Sequence, residues 1–167
     1  MSLFNLFKKK TSSRENIVDQ QNVPTIEKTT GTCFEDEFSD IQTGLISLCM
    51  EVAEGKVDKV YGYCSIENKG YMFNAFFQKG ERILTLNEIE NDTETVWELL
   101  KLGTDDLIKL EAVCQKYDKP TPTEIRLYYD AVSGKFHAHI KYEPVCEDQS
   151  SGEVFSQWLD EMREKCG

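Results

Sequence analysis

No run in the sequence approaches the roughly 20 apolar residues that a membrane-spanning helix needs. A helical bilayer-spanning protein is therefore excluded. Basic charge is scarce: 19 Lys and Arg face 30 Asp and Glu, giving a net charge of −11 and a pI near 4.7. That balance argues against direct binding of nucleic acid, whose phosphates attract lysine and arginine. The ten glycines are scattered, and none forms GxGxxG or GxxxxGK[ST], so no nucleotide phosphate loop is encoded and no cofactor is expected. GxSxG is missing as well. Six cysteines (Cys33, Cys49, Cys64, Cys114, Cys146, Cys166) contain no CxxC pair, which excludes a zinc ribbon or a thioredoxin-type redox motif.

What the chain does have is 40% hydrophobic and 29% charged residues over 167 positions, enough for one packed domain. Residues 1–32 lack periodicity, contain Pro24 and Gly31, and read as a flexible leader of net charge +2, leaving −13 for the domain at 33–167. The opening order, apolar Leu3, Phe4, Leu6 and Phe7 before Lys8, Lys9 and Lys10, is the reverse of a secretory signal. As a membrane-surface contact it is too small for stable anchoring. A cytoplasmic location with reduced thiols is the expectation.

From Phe34, apolar residues at Phe38, Ile41, Leu45, Leu48 and Val52 recur at steps of three and four and predict a helix closed by Gly55. Val57 to Ile66 alternates with period two, Asn68-Lys69-Gly70 turns the chain, and Tyr71 to Gln78 is an aromatic strand with both faces covered. Arg82 to Leu86 is a candidate third strand. Asp92 or Thr93 caps a long helix running to Tyr117, which Gly103 and Thr104 are expected to kink or split, and Pro120 and Pro122 end the region. Thr123–Val132 and Lys135–Glu143, joined at Ser133-Gly134, form a second hairpin, and a last helix starts near Glu153. The order α-β-β-α-β-β-α predicts an α+β fold: an antiparallel sheet of four to five strands built from two hairpins, with helices covering a face.

Candidate chemistry is thin. His137 and His139 project from one side of a strand and could share a metal, but no further ligand stands at a recognisable spacing, and a solvated or partner-facing strand side is the preferred reading, with no metal expected. Cys146 precedes Glu147 and Asp148, whose charge disfavours its thiolate. Glu88, Glu90, Asp92 and Glu94 fall in seven positions without a Lys or Arg; the run is either a solvated helix entrance or a field that captures a cationic surface. Trp97 reads as core, with an interface anchor as the alternative. Tyr61, Tyr63 and Tyr128 are strand aromatics expected to be exposed and to anchor a partner.

The element order, together with Lys59-Val60-Tyr61-Gly62-Tyr63, Tyr71-Met72-Phe73, Leu127-Tyr128-Tyr129-Asp130, Gly134-Lys135-Phe136, Tyr142-Glu143 and Trp158, resembles the YezG-like immunity proteins, bacterial antitoxins that neutralise secreted polymorphic toxins, frequently nucleases. The resemblance runs from about Phe38 to Trp158 and implies a cytoplasmic, non-catalytic inhibitor. Its partner would be a cognate toxin with a basic nuclease domain, steered by Glu88, Glu90, Asp92 and Glu94. The six cysteines and the His137/His139 pair are not features of that pattern. A chaperone or adaptor module that binds an effector polypeptide through its sheet face is the alternative.

Overall fold

The computed structural model describes residues 32–167, so the expected leader lies outside the described residues apart from Thr32. Helix α1 spans Phe34–Ala53 and buries Phe38, Leu45, Leu48, Cys49 and Val52 along one face. It ends where Glu54 and Gly55 enter the left-handed region, at φ 49° and 71°. Strands β1 (Lys59–Glu67) and β2 (Gly70–Lys79) form a hairpin whose two turn residues, Asn68 and Lys69, both take positive φ. Such a turn matches the right-handed twist of the strands it joins. Strand β3 (Arg82–Thr85) follows, one residue shorter than the candidate third strand because Leu86 opens the next helix.

The acidic run then folds into structure of its own. Helix α2, Leu86–Ile89, is a single turn closed by a capping box in which Glu88 reaches back to Thr85. Helix α3 runs unbroken over Thr93–Lys116, capped by Asp92, whose carboxylate accepts hydrogen bonds from the Glu94 N–H and the Thr95 hydroxyl. Gly103 does not split it. The glycine is there because α3 presses on β2: a Cβ at position 103 would overlap the buried Phe73 ring. Strands β4 (Glu124–Asp130) and β5 (Phe136–Lys141) and helix α4 (Ser151–Cys166), which opens on a Ser150/Glu153 capping box, complete the chain.

The fold is α+β, with a five-stranded antiparallel sheet in the order β3-β2-β1-β4-β5. Sequence reasoning placed the helices on a single face; they occupy both. Strand parity explains the difference. Val60, Cys64, Phe73, Ala75, Phe77, Ile125 and Leu127 meet α1 and α3, whereas Tyr61, Tyr63, Phe76 and Ile83 on the opposite parity pack beneath Val154, Trp158 and Leu159 of α4. Both parities of β1 and β2 are apolar enough to demand cover.

Helices α1 and α3 are pinned at one end by Glu37, which accepts from Lys116 Nζ at 2.7 Å and from the Tyr117 hydroxyl at 2.8 Å. The hydrogen bond from Lys116, followed by those from Thr32 and Tyr117, lowers the Glu37 carboxyl to about 2. A depressed carboxyl adds stability above its unfolded value and loses it as pH falls. Denaturant midpoints measured from pH 5 to pH 2 are thus expected to fall less steeply in Glu37→Gln than in the wild type. Gly103→Ala, despite its better helix propensity, is expected to destabilise by about 1–3 kcal/mol. Combining it with Phe73→Ala should cost less than the sum of the two.

Candidate partner-binding surface

Among the described residues, no group of three or more His, Cys, Asp or Glu is placed to hold a metal ion. His137 and His139 both stand exposed on β5, with the His137 ring 5.7 Å from that of Tyr128. The thiols are poor nucleophiles where they are buried: desolvation pushes Cys49 up to about 12 and raises Cys64 and Cys114. Cys146 is raised by burial and then by Glu67, not by the Glu147 and Asp148 that follow it in sequence.

A buried charge cluster lies where α4's face of the sheet meets β4 and β5. The Glu124 carboxylate, 1% exposed, accepts from Arg126 Nε at 3.0 Å and lies 3.4 Å from Lys141 Nζ. The Arg126 guanidinium in turn lies 5.1 Å from the Trp158 ring. These contacts fix β4, β5 and α4 relative to one another, and none is arranged around a reacting atom.

The aromatic anchors expected from the sequence take different places. Tyr61 and Tyr63 are 5% and 0% exposed, a correction to their expected exposure, because α4 covers that side of β1. Trp158 is the hub: its ring centroid lies 4.8 Å from Phe76, 6.1 Å from Tyr61, 6.2 Å from Tyr63 and 5.6 Å from Tyr128. Tyr61 donates its hydroxyl hydrogen to Gln78 at 2.8 Å, and burial raises it to about 12; Tyr63 is raised by burial and then by Glu124. Tyr128 is half-buried and keeps an edge toward solvent beside His137.

Trp97 reverses its expected place: it is 68% exposed on α3. The apolar seam of that helix passes through Val96, Leu99, Leu107 and Leu110, and residue 97 falls outside it. Glu94, three residues earlier, shares its helix face. The four carboxylates are gathered at this corner but differ in role. Glu88 is held below the ordinary carboxylate range by the Thr85 N–H and hydroxyl and lies 3.7 Å from Arg163, Glu90 accepts from the Asp92 N–H at 2.8 Å, and Asp92 caps α3. Glu94 is exposed in the first turn. The corner thus carries four carboxylates, two of them engaged in capping, with the exposed Trp97 indole one helical turn beyond Glu94.

No protein-family model matches the chain, and no curated protein is significantly similar to it.

The two tryptophans of the sequence, Trp97 and Trp158, separate surface from core. Trp158→Ala is expected to cost roughly 3–5 kcal/mol by equilibrium denaturation. Trp97→Ala is expected to stay within about 0.5 kcal/mol of the wild type.

Proposed function

We propose that the protein is a non-catalytic immunity protein that binds a cognate bacterial toxin and blocks it by occupying its basic substrate groove, the toxin being a nuclease. The observation that carries this reading is Trp97, exposed on α3 next to the anionic α2–α3 corner. Interface hot spots are enriched in tryptophan, and clustered carboxylates speed encounter with a cationic surface and reject like-charged partners. The resemblance to YezG-like immunity proteins supports the same reading. Residues that already cap helices are held rigidly, so the field they create is preorganised and is not weakened by side-chain ordering on binding.

The site residues are accordingly Glu88, Glu90, Asp92 and Glu94 for steering, with Trp97 rather than Tyr61 or Tyr63 as the anchor. Action takes place in the cytoplasm, on the toxin and not on nucleic acid. The alternative, an adaptor using its sheet face, has less to work with, because helices cover both faces of β1 and β2.

The test is inhibition of a candidate basic nuclease toxin by the full chain. Glu90→Lys with Glu94→Lys, which spares the caps at Glu88 and Asp92, is expected to slow association by about tenfold or more at low salt. Trp97→Ala is expected to raise the inhibition constant by about tenfold or more, chiefly through faster dissociation. Full inhibition by both variants would refute the assignment.

A further inference from the structure

Among the described residues strand β5 ends the sheet and is paired on one side only. Lys135 and Lys141 accept, through their carbonyl oxygens, hydrogen bonds from the Asp130 and Thr123 N–H groups at 2.9 Å each. By strand alternation the backbone groups of His137 and His139 also face β4, and those of Phe136, Ala138 and Ile140 face outward. Three of the exposed large apolar residues sit on this hairpin and its exit: Val132 at 81%, Phe136 at 37% and Tyr142 at 50%. Two cavities lie at the turn end of the β4–β5 hairpin and reach β5 at Phe136 and His137. One, of about 560 Å³, is walled by Ile46 and Met50 of α1; the other, of about 510 Å³, lies on α4's side by Lys59, His137 and Met162, and Tyr129 and Phe136 line both.

We propose that this edge docks an extended segment of another polypeptide in which acidic and apolar side chains alternate. The segment adds a sixth strand by main-chain hydrogen bonding, the mode in which alternate side chains enter pockets on opposite faces. Its apolar parity meets Phe136, Ala138 and Ile140, and its acidic parity meets the Lys135 ammonium, the imidazole N–H donors of His137 and His139, and Lys141, whose Nζ also lies 3.4 Å from Glu124, on a chain of net charge −11. The same residues disfavour a second copy of the protein as occupant. Antiparallel pairing of two β5 strands about Ala138 would set Lys135 against Lys141 and His137 against His139, and lysines on an edge strand ordinarily serve to prevent such self-pairing. This surface lies at the opposite end of the sheet order from β3 and the anionic corner that follows it, and does not depend on the immunity reading.

The test is fluorescence anisotropy of a labelled synthetic peptide, EVEFEIEV, titrated with the full chain. Binding is expected, with weak or no binding of the block-arranged EEEEVFIV and of the basic KVKFKIKV. Ala138→Pro removes an outward N–H without touching the β4 pairing and is expected to weaken binding by about tenfold or more. Lys135→Glu with His139→Glu, both exposed, is expected to lower affinity for EVEFEIEV and to raise it for KVKFKIKV, with the denaturant midpoint reporting that each variant is folded. Equal binding of the three peptides, no binding of EVEFEIEV, or self-association of the chain that Ala138→Pro abolishes would each overturn the proposal.

Discussion

Both sides of the β1–β2 pair have to be kept from water, and the rest of the architecture answers to that requirement. One parity carries aliphatic and small residues that accept α1 and α3; the other carries Tyr61, Tyr63 and Phe76, which accept the Trp158 indole. Rings in tilted and edge-on contact around Trp158 bury much surface in one place, so a short C-terminal helix suffices to close that face. Gly103 belongs to the same constraint on the other side, since it lets α3 approach the Phe73 ring.

Burying the aromatics of the strands decides what is left for recognition. With Tyr61 and Tyr63 inside, the exposed surface retains Trp97 on α3 and the aromatic edge around Phe136, and charge is sorted between them. Carboxylates crowd the entrance to α3, and Lys135 and Lys141 with the two histidines line β5. What both places offer a partner is contact: hydrogen bonding at an edge, and an indole in an anionic setting.

Much of the fold was legible because its signals are local. Period-two alternation located both hairpins, Asn68-Lys69 and Ser133-Gly134 marked their turns, and steps of three and four marked α1 and α4. Misreadings arose where the answer depends on the far side of the chain. Tyr61 and Tyr63 alternate as a solvent-facing parity would, and only the docking of α4 nearly a hundred residues later buries them. Trp97 sits beside Val96, yet one helical step of 100° separates the buried seam from the solvent. Gly103 resembles a breaker until the Phe73 ring is placed against it. The amphipathic moment of the helix held enough information to move Trp97 outward, had the seam been traced through Val96, Leu99, Leu107 and Leu110.

Stoichiometric occlusion of a cationic partner is proposed for the surface that includes Trp97. Its most direct measurement is a titration of the toxin domain with the full chain, following toxin turnover and Trp97 emission together, with Trp97→Phe as the spectral blank. Turnover is expected to fall to zero at one equivalent as the Trp97 emission shifts to shorter wavelength. Turnover that persists at saturation, or inhibition with the Trp97 emission unchanged, would contradict it.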